Sequence, residues 1–576
     1  MRQSLVAFHR APDLVGDFEG DPQMRWLGVQ GEPRRAFECA ESCRIEVRAA
    51  EGRLEAVASV RPGSEGRRRF EVRGSDGSLL WSADLGAGES RGLRLPLPGR
   101  GNLELRIEAV EGSARALWLS PFLVTERVAR PAAPGLPHVV LVTSDTTRQD
   151  ELSVYGGPVA TPALERLAAE GVVFDDAHAV AFGTNPSHAS LMTSTHAARH
   201  GVVHNRIALG GELPTLAETL RDQGYATAAF VSAVVLTRRA GLARGFDVYD
   251  DSVGLERPGD LTVRLFARWL RERGGGPFFA WIHLYDPHQP YAPAGAPAAP
   301  EVDALIARTN RRGLPGFIDP LAIRDSAPDR LPDVERVARE RYRAEIAFVD
   351  RQVASLRALL EERGLLDDTL FVFTADHGEN FLDRGPDVAY NHAGVRGDVT
   401  RIPLIMRLPG AAVRGRSAAL VGNLDLAPTI VSWLGLPPVP AWDGVPLLDP
   451  SGVVAREDLR EHLVLEGSHR REVGVRTREW LYREIREPER SERILRVQGF
   501  APDTPFELYE HASDPGETTN VYASGHPAVA RLRALLERFG DASEAGVASG
   551  SEVMAIEPEH ARALEALGYV EPAAEP

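Results

Sequence analysis

One short segment, Thr184-Asn-Pro-Ser-His188, places a hydroxyl where it can react. The residues after it include apolar Ala189, Leu191 and Met192 and predict the first turns of a helix. Proline is favoured in that first turn, where its missing N–H is not needed. Thr184 is therefore predicted at a helix N-terminus, beside unpaired backbone N–H groups that stabilise negative charge. Such a hydroxyl can attack phosphorus or sulfur, although a lone threonine there more often only caps the helix.

Two apolar segments that predict buried strands end in residues able to bind a metal. Asp145 follows the first, and Asp376 and His377 follow the second. The carboxyl ends of strands in a parallel sheet share one edge, where ligands bind, so we expect these three side chains to converge beside Thr184. Together with the Thr184 oxygen they predict one divalent-metal site, for which Mn, Zn, Mg and Ca are all compatible.

A second group of candidates follows another apolar strand and continues into a loop. It consists of His283, Asp286, His288 and His392. One interpretation is a second metal site formed by Asp286, His288 and His392. The other is that His283 and His392 supply a general acid and a group that binds the ester oxygen, since histidine titrates near neutral pH. Histidines in loops are also often only hydrogen-bonded.

Four further side chains are candidates for holding the oxygens of an anionic substrate. They are Arg148, His188, Arg199 and His200. Arginine and histidine donate charge-assisted hydrogen bonds to such oxygens. A purely structural role is the alternative for each of them.

In this order, the motifs resemble the sulfatase and phosphodiesterase branch of the alkaline phosphatase superfamily. The similar segments cover most of the chain after Pro137: 145–148, 161–174, 184–193, 199–202, 213–220, 283–291, 376–379, 401–406 and 507–517. The resemblance implies an α/β core of the alkaline phosphatase and sulfatase type, a bound divalent metal and an anionic ester as substrate.

The residues that differ from the family pattern indicate which type of ester the protein cleaves. Thr184 stands where a sulfatase carries the Cys or Ser that becomes formylglycine, His188 stands where the family has Arg, and the chain contains no lysine. A sulfated formylglycine is released by elimination from its geminal hydroxyl, which threonine lacks. A phosphothreonine can instead be cleaved by in-line attack of water or a second alcohol.

We therefore predict a metal-dependent hydrolase or phosphotransferase that acts on phosphate or phosphodiester esters through Thr184. Two alternatives remain open. One is a true sulfatase, and the other is a non-catalytic member that binds an anionic ligand. Metal content separates the last alternative from both enzymes, because a degenerate member need not retain the metal.

Composition limits the class of protein. The chain has 576 residues, of which 43% are hydrophobic and 26% charged, as in globular proteins with two or three domains. A formal net charge of -16 argues against a nucleic-acid partner. Cys39 and Cys43 are expected as unpaired thiols.

The first residues lack the apolar core of a signal peptide, and no segment is apolar enough to span a membrane. We expect a soluble protein, cytoplasmic as written and exported if its N-terminus is truncated; no pattern indicates the oligomeric state.

The pattern of elements predicts four parts: a β-rich, sandwich-like module over 1–130, a linker over 131–137, the catalytic core over 138–455, and an α+β subdomain over 456–576. Core strands are expected at 138–144, 227–232, 278–285, 369–375 and 402–407, and a short strand and turn at 177–183. Core helices are expected at 160–170, 187–195, 214–223, 260–272, 334–363 and 423–435, with Asp350 solvated. The C-terminal subdomain is expected to hold an antiparallel sheet and helices at 528–539 and 559–567.

Overall fold

The computed structural model describes residues 4–10, 23–29, 32–39, 42–49, 52–61, 65–97, 101–113, 115–128, 132–133, 135–253, 256–292, 298–311, 313, 315–386, 389–392, 394–448, 458–467, 472–486, 505–544 and 553–554. The predicted helix at 559–567 lies outside this part of the chain.

Two antiparallel sheets form the N-terminal module. Its strands are β1 (Ser4–Arg10), β2 (Gln23–Val29), β3 (Glu32–Cys39), β4 (Cys43–Ala49), β5 (Gly52–Val60), β6 (Gly66–Gly74), β7 (Leu79–Gly86), β8 (Ser90–Leu97), β9 (Gly101–Gly112) and β10 (Ala116–Val128). One sheet has the order β2-β3-β10-β5-β8, with β1 paired to β10, and the other has the order β4-β9-β6-β7.

The two sheets share one apolar core, as expected of a sandwich. Leu103, Leu105 and Ile107 of β9 are buried and alternate with charged residues, the period of a strand with one face in a core. Phe70 and Trp118 meet edge to face, with ring centroids 5.2 Å apart. The predicted β-sandwich is confirmed. No disulfide joins Cys39 and Cys43, both of which are buried.

The central sheet carries the residues with chemical potential. Its strands are β11 (His138–Ser144), β12 (Val172–His178), β13 (Ala226–Phe230), β14 (Val248–Asp250), β15 (Phe278–Leu284), β16 (Thr369–Ala375), β17 (Leu404–Arg407) and β18 (Gly415–Gly422). Their order is β14-β13-β15-β11-β16-β17-β12-β18. The sheet is mixed, because β17 is antiparallel to both of its neighbours.

Helices cover both faces of this sheet. They are α1 (Pro162–Ala169), α2 (Thr184–Thr193), α3 (Ala197–His200), α4 (Leu216–Asp222), α5 (Gly259–Glu272), α6 (Pro300–Thr309), α7 (Pro320–Ser326), α8 (Leu331–Glu362), α9 (Gly397–Thr400) and α10 (Leu426–Trp433). One apolar cluster joins the sheet to α2, α4 and α10, and a second joins its other face to α1, α5, α6 and α8. The predicted α/β class is confirmed.

Three expectations about the core are wrong. Of the short strand and turn predicted over 177–183, only the first two residues belong to a strand, because β12 ends at His178. Strands β14 and β18 had no counterpart among the predicted core strands. Asp350 is not solvated, because its carboxylate accepts hydrogen bonds from the backbone N–H groups of Ala163 and Leu164 at the start of α1.

A four-stranded antiparallel sheet follows the core. It has the order β19 (Leu463–Glu466), β20 (Glu472–Arg476), β21 (Trp480–Ile485) and β22 (Phe506–Glu510), and α11 (Pro527–Glu544) packs on it. The predicted C-terminal α+β unit therefore has its sheet and its first helix, while the exact boundaries of the four parts stay predictions. No helix in the described ranges is long and apolar enough to cross a membrane.

Candidate active site

The register of three central strands brings the strand-end residues together. Strand β11 lies between β15 and β16, and Ser144 is paired with Leu284 on one side and with Ala375 on the other. Asp145 and Asp376 therefore leave the sheet side by side at the same edge. The backbone N–H of Asp145 donates to the carbonyl of Leu284 at 2.8 Å, which fixes its exit.

Thr184 is the first residue of α2, and it is fully buried. Gly183, with a φ of 93°, takes the N-cap position, so Thr184 is not merely a helix cap. The Thr184 hydroxyl instead donates to Oδ2 of Asp145 at 3.3 Å. The helix start thus delivers one hydroxyl to the end of β11.

Asp145, Asp376 and His377 each direct one potential ligand atom to a common point, and these atoms lie within 4.8 Å of one another. Asp145 Oδ1, Asp376 Oδ2 and His377 Nε2 are buried without a hydrogen-bond partner. Unpaired buried polar atoms are costly, so such a convergent set needs a ligand. Two carboxylate oxygens and one imidazole nitrogen fit a divalent cation.

The other atoms of these ligands are firmly held. Asp376 Oδ1 accepts hydrogen bonds from the backbone N–H groups of His377 at 2.8 Å and Thr146 at 3.2 Å. His377 Nδ1 donates to the carbonyl of Gly378 at 3.0 Å. The proton on Nδ1 leaves the lone pair of the neutral ring on Nε2, which faces the two carboxylates, as a metal ligand requires.

Negative charge is concentrated among these buried side chains. Burial raises the pKa of Asp145, and burial together with the charge of Asp145 raises the pKa of Asp376. Burial opposes protonation of His377, but the charges of Asp376 and Asp145 outweigh it and raise the pKa of that imidazole. Each shift reflects negative charge gathered in a buried space, which a cation would relieve.

His283 lies at the end of β15 on the other side of Asp145. Its Nδ1 accepts a hydrogen bond from the backbone N–H of Ser232 at 3.3 Å, so Nε2 carries the proton of the neutral ring. Nε2 lies 3.3 Å from Asp145 Oδ2, the oxygen that also accepts from Thr184. Burial lowers the pKa of His283 to about 4, which keeps the ring neutral near pH 7. His283 is therefore a neutral N–H donor beside the hydroxyl.

His188 has both ring nitrogens engaged. Nδ1 donates to the carbonyl of Thr184 at 2.6 Å, and Nε2 lies 3.0 Å from the hydroxyl of Thr143.

His188, His283 and Asp376 form a second group that could hold a metal, because one atom of each lies within 4.8 Å of the others. The hydrogen bonds of His188 disfavour that second cation. They also correct its predicted role, because His188 contacts the backbone of Thr184 and has no nitrogen left for substrate.

His392 lies next to His377 and His288 lies next to His392, but Asp286 does not join them. The ring of His392 stacks on His377 with centroids 4.5 Å apart, and His288 lies 5.2 Å from His392. Asp286 instead accepts from the backbone N–H of Gly259 at the start of α5, at 2.9 Å. Neither metal-binding group found in the described ranges includes Asp286, which argues against the predicted second site.

Three predicted oxygen-binding residues are committed elsewhere. Arg148 forms a bidentate ion pair with Asp150, at 2.6 and 2.9 Å. Arg199 pairs with Asp443. His200 is buried, with Nε2 3.0 Å from the hydroxyl of Ser190 and Nδ1 accepting from the backbone of Val202. The structure brings none of these side chains to Thr184, so their assignment as substrate ligands is not supported.

Sequence reasoning missed several residues that shape the site. Ser232 sets the tautomer of His283, and Tyr291 donates to the buried carboxylate of Glu379 at 2.9 Å. Thr146 has a φ of 50°, unusual for a β-branched residue, and its buried hydroxyl has no partner. No pattern in the sequence marks the contacts of Ser232 and Tyr291, because each joins segments far apart in the chain.

Comparison with known proteins places this arrangement in a family. The sequence model of the family described as Sulfatase matches residues 137–436. The N-acetylglucosamine-6-O-sulfatase of Bacteroides thetaiotaomicron is 23% identical over 67% of this chain and 82% of its own length. The multifunctional alkaline phosphatase superfamily protein PehA of Trinickia caryophylli is 26% identical over 50% of this chain and 70% of its own length.

A solved structure shows the same fold. The phosphonate monoester hydrolase of Agrobacterium radiobacter superposes with a TM-score of 0.54, covering 73% of this chain and 100% of that chain at 22% identity. The relatives therefore include proteins named for sulfate esters and for phosphonate esters.

Proposed function

This chain belongs to the sulfatase family of ester hydrolases, and we propose that it is a metal-dependent phosphodiesterase with Thr184 as its covalent nucleophile. One observation carries the proposal. The Thr184 hydroxyl lies at the start of α2, 3.3 Å from Asp145 Oδ2, beside three buried ligand atoms that lack partners. Asp145, Asp376 and His377 would hold the divalent cation.

Thr184 performs the first step. Its hydroxyl attacks phosphorus and passes its proton to Asp145 Oδ2, the oxygen to which it already donates. The new Oγ1–P bond forms as the bond to the ester oxygen breaks, and the departing alkoxide takes a proton from water. A divalent cation bound at the three ligand atoms would stabilise the charge on the phosphoryl oxygens and lower the pKa of the hydroxyl.

His283 binds an oxygen of the substrate. Because Ser232 holds the proton on Nε2 and burial keeps the ring neutral, His283 supplies a hydrogen bond and not a proton. Of the two roles predicted for His283, these observations support oxygen binding. His392, stacked on His377, orients that ring. Water then attacks the phosphothreonine in line, the Oγ1–P bond breaks and the phosphate product leaves. The Thr184 oxygen takes back the proton held by Asp145, and the proton lost by the attacking water neutralises the hydroxide left by the first step.

The charge of the site favours a singly charged diester over a doubly charged phosphate monoester. The charges of the two carboxylates and of a divalent cation would nearly cancel. In the described ranges no arginine forms an ion pair within 4.0 Å of Asp145 or Asp376, and the chain contains no lysine. A second negative charge on the substrate would therefore find no cationic side chain paired with these two carboxylates.

Hydrolysis of sulfate esters is the second candidate, and the named sulfatases among the relatives favour it. Thr184 opposes it, because a sulfated threonine lacks the geminal hydroxyl needed for elimination. The two functions differ in the covalent intermediate, so a quenched reaction can distinguish them by mass spectrometry.

The test uses bis(p-nitrophenyl) phosphate and p-nitrophenyl sulfate with Mn, Zn, Mg or Ca. We expect Thr184→Ala to lose about 10³-fold or more of the diesterase rate, because nucleophile loss leaves only positioning and electrostatic stabilisation. Thr184→Ser should retain part of the rate. Thr193→Ala, a matched change of a buried threonine in the same helix, should leave the rate near wild type. Wild-type cleavage of the sulfate ester alone, or full diesterase activity in Thr184→Ala, would overturn the proposal.

A further inference from the structure

We propose that Thr143 and Trp281 are positioning residues that act through His188 to hold the nucleophile Thr184 in its reactive place. The inference rests on the proposed function, in which Thr184 attacks the ester. It assigns a catalytic contribution to two strand residues that contact neither the substrate nor the ligand atoms.

A continuous chain of hydrogen bonds links these residues. Trp281 Nε1 donates to Thr143 Oγ1 at 3.0 Å. Thr143 Oγ1 lies 3.0 Å from His188 Nε2, and His188 Nδ1 lies 2.6 Å from the carbonyl oxygen of Thr184. All four residues are fully buried, so water does not compete for these bonds.

The direction of each bond is forced by the chemistry of its groups. A carbonyl oxygen only accepts, so His188 Nδ1 carries the ring proton and donates it to Thr184. With that proton on Nδ1, Nε2 accepts, and the Thr143 hydroxyl donates to it. An indole N–H only donates, so Trp281 bonds to the oxygen of Thr143 and leaves the hydroxyl proton for His188. The bonds of this chain are thus consistent with one tautomer of His188, the one whose Nδ1 bonds to the nucleophile.

The strand positions explain why this chain matters for the reaction. Thr143 precedes Asp145 by two residues and Trp281 precedes His283 by two, so each pair shares one side of its strand. The hydrogen-bond chain therefore ties the first residue of α2 to the strands that carry Asp145 and His283. It holds the Thr184 backbone in register with the oxygen that accepts its hydroxyl proton.

The histidine at position 188 is well matched to this task. It lies four residues after Thr184, one turn along α2, so its ring reaches back over the first residue of the helix. Its ring also contacts Trp281 and His283, each with centroids 5.1 Å away. Two ring contacts and both nitrogens thus hold His188 in one orientation.

The test compares Thr143→Val with Thr143→Ser. The valine variant keeps the shape but removes the hydroxyl, and we expect kcat for bis(p-nitrophenyl) phosphate to fall about 10- to 100-fold, because misplacing a reacting group by about 1 Å can cost about 10²-fold. KM and metal content should stay at wild-type values, because no substrate or metal contact is lost. Thr143→Ser restores the hydroxyl and should restore kcat.

Thr374→Val is the matched control. Thr374 is the register partner of Thr143 on β16, and its buried hydroxyl donates to the carbonyl of Pro403 at 2.8 Å, away from His188. It should lose stability without a selective loss of kcat. Trp281→Phe should lower kcat in the same direction as Thr143→Val, and the double variant should be no slower than the slower single variant, since both break one chain.

Two results would overturn the inference: wild-type kcat in folded Thr143→Val, or a loss that appears in KM with kcat unchanged. Failure of the proposed function is separate, because it shows as full activity in Thr184→Ala. An inactive Thr184→Ala with a fully active Thr143→Val removes only the positioning role.

Discussion

Replacing Asp376 with Asn should have opposite effects on stability in the metal-free and the metal-bound protein. The amide can keep the Asp376 Oδ1 position, which accepts from His377 and Thr146, so the turn after β16 is retained. At the other oxygen the substitution removes a buried negative charge and the lone pair aimed at the cation. Without metal that charge destabilises the fold, and with metal it is a ligand.

The size of the effect follows from the spacing of the ligand atoms. Oxygens of Asp145 and Asp376 lie within 4.8 Å of each other. At an effective dielectric constant of about 20, two like charges at that distance repel by about 3.5 kcal/mol. Relief of this repulsion should raise the melting temperature of the metal-free protein by about 3–6 °C for a cooperative unit of this size.

The difference in melting temperature between metal-free Asp376→Asn and metal-free wild type should grow with pH. The raised pKa of Asp376, caused by burial and then by Asp145, means that ionisation destabilises the fold, so stability falls as pH rises above the ordinary value of 3.8. The raised pKa of His377 contributes stability that is present below 6.5 and is lost as pH rises through the raised value. Both changes have the same sign, so the metal-free wild type should be weakest at alkaline pH.

The assay is thermal unfolding of wild type and Asp376→Asn, with EDTA and then with excess metal. At 100 times Kd the metal should stabilise wild type by about 2.7 kcal/mol, and the variant should gain little. Asp350→Asn is the control, because this buried carboxylate caps α1 far from the metal ligands in sequence and should lose about 1–3 kcal/mol in both conditions. The reasoning fails if Asp376→Asn is destabilised equally with and without metal, or if both proteins contain the same amount of metal.

Two further predictions concern the other parts of the chain. Glu517→Ala should destabilise the protein by about 3–5 kcal/mol in denaturant unfolding, because it leaves the buried Arg476 without its carboxylate and frees the N–H of Gly397; a change below about 1 kcal/mol would contradict this. A chain that begins at Pro134 should still bind metal and cleave bis(p-nitrophenyl) phosphate, because the proposed ligands and nucleophile lie after this point; a folded, metal-containing but inactive product would show that the N-terminal module completes the site.

Much of the core could be predicted because its signals are local. The strands over 138–144 and 369–375 agree with β11 and β16, since continuous apolar segments of that length report burial on both faces. The long helix expected at 334–363 is α8, one to three residues displaced, because apolar periodicity defines a helix better than its ends. Strand β18 was missed and the antiparallel direction of β17 was not foreseen, since strand pairing depends on distant segments.

In the site, too, residues with local sequence signatures could be predicted, whereas the contacts between distant segments could not. Asp145, Thr184, Asp376 and His377 were predicted together, because strand ends and a helix start have sequence signatures. Asp286 and His288 are only two residues apart, yet Asp286 bonds to the start of α5 while His288 lies near His392. Spacing along a loop does not determine where each side chain points.

The sequence by itself determined which chemical groups are present: a threonine in place of an oxidisable Cys or Ser, carboxylates and an imidazole at two strand ends, and no lysine. Only the tertiary structure decided which histidine nitrogens are available. Ser232 leaves the proton of His283 on Nε2, whereas Trp281 and Thr143 turn His188 toward the Thr184 backbone. These assignments depend on hydrogen bonds between segments tens to more than a hundred residues apart. Such hydrogen bonds form only when the strands of the central sheet and α2 pack together.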